Sequence, residues 1–158
     1  MSTSSGVVYL TAEGRKELKK ELDHLLKVII PEIAQRIKEA KELGDLSENA
    51  EYSSAKEDQG FVAGRILEIQ SILANAQIAT ATKKSHIVQV GSTIVVKNSA
   101  SNSVHEYSIV GTAETNPSLG KISNESPLGK AFLGREKGDE VTVHAPSGKI
   151  QYSIVEIK

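Results

Sequence analysis

The stretch LGDLSENAEY, Leu43–Tyr52, decides the fold, because it separates two long segments with helical apolar periodicity. Gly44 is a typical helix-ending residue. Two helices joined by a turn of a few residues pack as antiparallel neighbours. Residues 40–60 contain six acidic and two basic residues, so the acidity is concentrated at this turn. The sequence therefore predicts a helical hairpin with an acidic tip at residues 43–52.

The segment before the turn predicts one long helix. Gly6–Leu10 is typical of a short extended lead-in, and Thr11 is a suitable N-cap. Pro31 would kink a helix or start a new one. We expect a single bent helix, because the apolar register continues across Pro31. Its apolar residues recur three and four positions apart: Leu18, Leu22, Leu25, Ile29, Ile33, Ile37 and Ala40.

Charged pairs four residues apart support the same helix. Asp23 precedes Lys27, and Glu32 precedes Arg36, in the order that favours an ion pair on a helix surface. Both pairs are therefore predicted to form within the first helix.

The segment after the turn predicts a second helix from about Ser47 to Ala76. Its apolar residues alternate four and three apart, which is typical of a coiled coil. Roughly 30 residues at about 1.5 Å each give a rod of about 45 Å. Small and polar residues near the turn predict a thin end. The alternating residues are Val62, Ile66, Ile69, Leu73 and Ala76.

The remaining chain predicts a small α+β domain over residues 86–158, after a hairpin domain at 1–78 and a linker at 79–85. A short helix is expected from the N-cap Ser126 to Gly134. A turn at residues 146–148 joins the last two strands. The predicted strands are Ser92–Lys97, Val104–Gly111, Glu140–His144 and Lys149–Ile157.

Composition excludes several functions. The chain has no cysteine, hence no disulfide or thiolate chemistry, and its four histidines show no metal-ligand spacing. A net charge of -1 argues against a protein that holds nucleic acid mainly by phosphate neutralisation. The sequence shows no secretory signal, no membrane-spanning segment and no self-contained catalytic motif. We expect a cytoplasmic protein with no membrane partner and no small-molecule substrate.

Asp45 and Glu48 are the candidate functional pair, and two interpretations stay open. In the first, Asp45 caps the second helix and Glu48 lies at its third position, as in a capping box. In the second, the two carboxylates supply oxygen ligands to Mg²⁺, which takes one or two carboxylates and other ligands from elsewhere. Two carboxylates are too few to hold Mg²⁺ tightly, so they would complete a site on a partner.

Two basic residues flank this pair. Lys41 and Lys56 are the only cations within residues 40–60. Two interpretations stay open: these lysines belong to a solvated helix face, or they make a weak phosphate contact beside the tip.

The tip string resembles the GreA/GreB family of bacterial transcript cleavage factors. The similarity covers almost the whole chain and includes LGDLSENAEYSSAKEDQGFVAGRI, Leu43–Ile66. It also includes IPEI, Ile30–Ile33, and the C-terminal string SNESPLGKAFLGREKGDEVTVHAPSG. The resemblance implies a two-domain α+β fold, with an N-terminal antiparallel coiled-coil hairpin followed by an FKBP-like domain.

The resemblance also implies a function. The hairpin would enter the secondary channel of bacterial RNA polymerase and stimulate the polymerase's own cleavage of backtracked RNA near its 3′ end. Asp45 and Glu48 would help to hold a Mg²⁺ ion shared with the polymerase, so the chain would need no cofactor of its own and would not itself be the enzyme. By position, Ser47, Asn49 and Tyr52 match supporting tip residues, and Lys41 and Lys56 match RNA-proximal ones.

Three other functions compete. A relative of the same family could occupy the channel and inhibit the polymerase without stimulating cleavage. A prolyl isomerase would need an aromatic-lined pocket, for which residues 79–158 supply only Tyr107, Phe132 and Tyr152. A scaffolding coiled coil is the remaining alternative.

Overall fold

A computed structural model describes residues 7–45, 48–82 and 85–158. The chain divides into two compact units. The helical unit comprises Arg15–Asn75, and the β unit comprises Ala76–Lys158 together with the described residues up to Gly14. Within the described ranges, no helix is long and apolar enough to cross a membrane. The two-part α+β fold predicted from the sequence is confirmed.

The first long helix is continuous across Pro31, as predicted. It consists of α1 (Ala12–His24), a π-helical turn (Leu25–Ile29) and α2 (Ile30–Glu42). Proline has no N–H, and its ring clashes with the carbonyl four residues earlier. The wider π-turn directly before Pro31, closed by the Ile30 N–H on the Leu25 carbonyl, accommodates the proline without ending the helix.

The second helix, α3, spans Ala50–Asn75 and packs antiparallel to α2. At about 1.5 Å per residue it is about 39 Å long. It starts three residues later than the predicted Ser47, which lies outside the described residues. The predicted apolar faces are confirmed, since every one of their members within α1–α3 is buried or half-buried. The fully buried residues of the helical unit are Leu18, Ile33, Ala40, Ala55 and Ile69.

The β unit contains a five-stranded sheet in the order β5-β4-β3-β7-β6. Only the β4–β5 pair is parallel. A short helix, α4 (Pro127–Phe132), contacts β5 and β6. The four predicted strands are confirmed to within one residue at each end. The strands of this sheet are β3 (Thr93–Asn98), β4 (Val104–Val110), β5 (Lys121–Ser123), β6 (Glu140–Ala145) and β7 (Gly148–Ile157).

The core of the β unit is one contiguous cluster around Phe132, which is fully buried. The predicted N-cap is confirmed, since the Ser126 hydroxyl accepts a hydrogen bond from the Gly129 N–H at 3.0 Å. Gly129 lies so close to the Ser123 carbonyl that a Cβ atom would overlap it. Only glycine therefore lets α4 pack on the end of β5.

The sequence did not predict a second, two-stranded parallel sheet. Strands β1 (Tyr9–Thr11) and β2 (Gln77–Ala79) pair within the β unit. This pairing places the N-terminal lead-in with the β unit rather than with the predicted hairpin domain 1–78, and it places Ala79 in a strand rather than in the predicted linker. Thr11 still caps α1, since its hydroxyl accepts the Gly14 N–H at 3.0 Å.

Candidate functional site at the hairpin tip

The hairpin tip is built from the end of α2 and the start of α3. Helix α2 ends with the Leu43 N–H bonded to the Ala40 carbonyl at 3.3 Å. Gly44 follows with φ of +119°, a conformation that residues with a side chain rarely adopt. This glycine turns the chain out of the helix axis, as the sequence indicated.

Asn49, rather than Asp45, caps α3. The Asn49 Oδ1 atom accepts a hydrogen bond from the Tyr52 N–H at 3.0 Å, the geometry of an N-cap three residues before its donor. The Ser53 N–H then bonds to the Asn49 carbonyl at 3.1 Å. The structure therefore does not support the first interpretation, in which Asp45 caps the helix and Glu48 lies at its third position. Glu48 instead directly precedes the cap.

The same amide also holds the end of α2. The Asn49 Nδ2 atom donates to the Ala40 carbonyl at 2.7 Å. That carbonyl belongs to the last turn of α2, where it also accepts the Leu43 N–H, so the Asn49 amide is its second donor. One side chain thus joins the two helix ends that meet at the tip, and it uses both its acceptor and its donor. We call this arrangement the Asn49 clamp.

The side chains of Asp45 and Glu48 are both exposed, one on each side of the undescribed pair 46–47. Carboxylates are hard oxygen donors of the type that Mg²⁺ accepts, so this donor set fits a shared magnesium ion. Among the described residues, no group of three or more His, Cys, Asp or Glu side chains is arranged to hold a metal. The described part of the tip therefore presents two carboxylates, fewer than a magnesium site of its own would need.

The other predicted tip residues take different positions. Tyr52 is half-buried, and its backbone N–H enters the Asn49 clamp. Lys41 and Lys56 are exposed on α2 and α3, and the Lys56 ammonium donates to the Gln59 side chain at 2.8 Å. Ser47 lies outside the described residues. The structure thus describes every predicted tip residue except Ser47.

Arg36 braces the hairpin close to the tip. Its guanidinium contacts Glu51 at 2.9 Å and Asp58 at 2.7 Å, both on α3. These two partners raise the Arg36 pKa, mainly through the hydrogen bonds that they accept. The predicted pairing of Arg36 with Glu32 is replaced by this contact between helices, because a long planar fork can reach two carboxylates on the neighbouring helix. The predicted Asp23–Lys27 pair is present at 2.9 Å.

A second arginine fixes the hairpin further from the tip. Arg65 of α3 bonds both carboxylate oxygens of Glu21 in α1, at 2.7 and 2.9 Å, and also contacts Glu68 at 2.8 Å. The Arg65 hydrogen bonds lower the Glu21 pKa. Two arginines of opposite helices therefore hold the antiparallel register, a role that the sequence did not predict for either of them.

The aromatic residues of the β unit form part of its core. The Phe132 and Tyr152 rings meet edge to face, with centroids 5.8 Å apart, and the Tyr107 ring stacks on Phe132 with centroids 6.4 Å apart. Burial raises the Tyr107 pKa. Since Phe132 is fully buried and Tyr152 nearly so, these rings pack against one another and do not line an open pocket. The arrangement does not favour a prolyl isomerase.

Comparison with known proteins identifies the family. Residues 8–78 match the family model described as "Transcription elongation factor, N-terminal", and residues 83–158 match the model "Transcription elongation factor, GreA/GreB, C-term". The chain belongs to the GreA/GreB family of transcription elongation factors.

Similar proteins of this family carry the name transcription elongation factor GreA. The GreA of Thermotoga maritima is 47% identical over 150 residues, which is 95% of this chain and 96% of that protein. The GreA of Shouchella clausii is 43% identical over 151 residues, with the same coverage. Among solved structures, GreA factor homolog 1 (Gfh1) of Thermus thermophilus is 27% identical, covering 97% of this chain and 99% of that one, with a TM-score of 0.44. The family resemblance predicted from the tip string is confirmed.

Proposed function

We propose that the hairpin enters the RNA polymerase secondary channel and brings Asp45 and Glu48 to the polymerase active site. There the two carboxylates would help to hold a weakly bound second Mg²⁺ and favour cleavage of backtracked RNA by the polymerase itself. Membership of the family supports a role with RNA polymerase. The observation that carries the finer proposal is the tip itself, where two exposed carboxylates belong to the turn that the Asn49 clamp closes.

The geometry of the tip suits this role. The clamp closes the ends of α2 and α3 with one small side chain. Ala40 of α2 and Ala55 of α3 are small and buried, which keeps the end of the hairpin slender. Arg36 braces α2 against α3 a short distance behind. A rigid support of this kind holds the two carboxylates in place, so less ordering is needed when they meet a partner site.

In this proposal the polymerase supplies the reacting centre, and this protein supplies two additional carboxylate ligands. In a two-metal site the ions stabilise the attacking and leaving oxygens of the displaced phosphate. Asp45 and Glu48 would add oxygen ligands to the less strongly held ion and orient the attacking water. The protein would then be an accessory factor that acts in the cytoplasm, and the reacting centre would remain the polymerase's.

The proposal also gives Lys41 and Lys56 a role in contacting RNA. Lys41 and Lys56 are exposed on the two helices that form the tip, where ammonium groups would contact the phosphates of the extruded RNA. Because these contacts are electrostatic, Lys41→Gln with Lys56→Gln should weaken cleavage most at low salt. Equal activity of this variant and wild type at all salt concentrations would contradict the RNA contact.

The central test is RNA cleavage in a stalled, backtracked complex supplied with Mg²⁺. Asp45→Asn with Glu48→Gln should lower the cleavage rate by about 10²–10³, the loss typical of a removed electrostatic partner in a water-poor site. Binding to the polymerase should be retained. Glu42→Gln, which removes an exposed carboxylate at the end of α2, is the matched control and should cleave normally.

Two results would contradict the proposal. Undiminished cleavage by the double variant would show that the tip carboxylates do not take part. Wild-type protein that binds the polymerase without shortening the RNA would indicate an inhibitor instead. Thermal melting of each variant separates a loss of function from a loss of folding.

A further inference from the structure

Helix α3 carries an exposed apolar face that the hairpin does not use. Phe61 is 73% exposed and Leu67 is 67% exposed, although both lie in the interior of a long helix. Gly60 and Gly64 lie beside them, and a Cβ atom built on either glycine would have no neighbour within 4 Å. Glu57, Arg65 and Glu68 complete a shallow groove with Gly60, Phe61 and Gly64. We call these residues and Leu67 the Phe61 face.

The two glycines have no role in packing the hairpin itself. Glycine is among the least favourable residues in a helix interior, and its lack of a Cβ atom lets another group approach the helix backbone closely. Among residues 7–45, 48–82 and 85–158, no atom makes such an approach at Gly60 or Gly64. The exposed Phe61 ring lies beside helix backbone that Gly60 and Gly64 leave uncovered. Together they form a surface on which a partner could pack closely.

The charges of the face select the kind of partner. Its carboxylates are Glu57 and Glu68, whereas its one cation, Arg65, already bonds Glu21 and Glu68. With Glu21, the face holds three carboxylates against one guanidinium, so a second copy of the chain would bring the same excess of negative charge to the contact. A partner with apolar side chains flanked by lysine or arginine would complement both the groove and its acidic rim.

We infer that the Phe61 face binds an apolar segment of RNA polymerase that is flanked by basic residues. The inference rests on the proposed function, because the face lies on the helix that would enter the channel, with Phe61 roughly 16 Å from the start of α3 at about 1.5 Å per residue. The tip would act on the reaction, and the Phe61 face would hold the hairpin in place. The Phe61 ring would fill the central pocket, where aromatic residues contribute most to binding.

The test is equilibrium binding of the full chain to core RNA polymerase at fixed salt. Phe61→Ala should weaken binding by about ten- to a hundredfold. Gly64→Leu should weaken it similarly while making the free protein more stable, because leucine favours helix and the site is open. Leu119→Ala, which removes a 70% exposed apolar side chain in the β unit, is the matched control and should bind normally.

The outcomes separate this inference from the proposed function. If Phe61→Ala and Gly64→Leu bind as tightly as wild type, the inference is overturned even when tip variants abolish cleavage. If the tip variants still cleave while Phe61→Ala binds weakly, the proposed chemistry fails and the docking surface stands. Concentration-dependent sedimentation of the wild type that Phe61→Ala abolishes would instead assign the face to a second copy.

Discussion

The two units of this protein achieve stability in different ways. The β unit buries one contiguous cluster around Phe132, to which all five strands of its five-stranded sheet and α4 contribute. The helical unit buries single residues spaced along its length, such as Ile33 and Ile69, and adds arginine braces between the helices. A core shared by many elements tends to unfold as a whole, whereas a hairpin supported at separate points can open locally. The candidate site lies on the helical unit. The narrow tip of this unit leaves no room for a large core.

The largest effect that this comparison predicts is at Phe132. Phe132→Ala should lower the free energy of unfolding by about 3–5 kcal/mol, because it leaves a cavity in a fully buried site. Hydrogen exchange should become faster throughout β3, β6 and β7 together. Ile69→Ala, in the hairpin, is the contrasting variant.

Ile69→Ala should cost less, about 2 kcal/mol, because the cavity in a two-helix rod lies near solvent and neighbouring side chains can close it. Faster exchange should be confined to the parts of α1 and α3 beside it. Equal losses for the two variants, with exchange rising across the whole chain in both, would show that the two units share one cooperative core.

The next effect concerns the Asn49 clamp. Asn49→Ala removes the cap on the Tyr52 N–H and the donor to the Ala40 carbonyl, so it should cost about 1–2 kcal/mol. Asn49→Asp keeps the acceptor but cannot donate to the carbonyl, and it should retain the α3 cap while releasing the end of α2. Amide exchange at Tyr52 and Ser53 distinguishes the two variants.

A looser tip should also reduce RNA cleavage, because the carboxylates beside it would be less well positioned. The cleavage rate of Asn49→Asp is expected between those of wild type and Asn49→Ala. If Asn49→Ala frayed α3 yet cleaved at the wild-type rate, the clamp would be a stabilising feature with no part in the function.

The sequence predicted the long elements well, because their signals repeat. Seven apolar positions with helical spacing identify the first helix despite Pro31, and the alternating β runs identify four strands of the sheet. Strands β1, β2 and β5 have three residues each, too few for any period to appear. Their positions depend on tertiary contacts, such as the bonds from the Thr11 N–H and hydroxyl to the Glu114 carboxylate.

The sequence predicted which residues belong to the candidate site, but not which of them caps α3. Asp45 and Asn49 are both good N-cap residues, and the sequence alone did not fix where α3 begins. Asn49 has the advantage that an amide can also donate to the Ala40 carbonyl, which a carboxylate cannot do. That second bond depends on the approach of α2 to α3, so no local pattern could reveal it. The Arg36 pairing was misassigned for the same reason.

The smallest effect tests the Arg65 brace through pH. Arg65 lowers the Glu21 pKa below its ordinary value of 4.5, mainly by hydrogen bonding to the carboxylate. A lowered pKa means that the folded state holds the charged form more strongly than the unfolded state does. The stabilisation is therefore fully present above about pH 4.5 and is lost as the pH falls through the folded-state value.

Glu21→Gln should accordingly be less stable than wild type at pH 7, by under about 1 kcal/mol, because both partners of this ion pair are partly exposed to solvent. The difference in unfolding free energy should shrink as the pH is lowered below 4.5. Glu13→Gln, on an exposed residue of the same helix, is the control for a general loss of charge. If the difference in unfolding free energy between Glu21→Gln and wild type stayed constant from pH 7 to pH 3, the contribution of Glu21 would come from packing and not from its charge. The helical unit would then depend less on arginine braces, and its contrast with the β unit would be smaller.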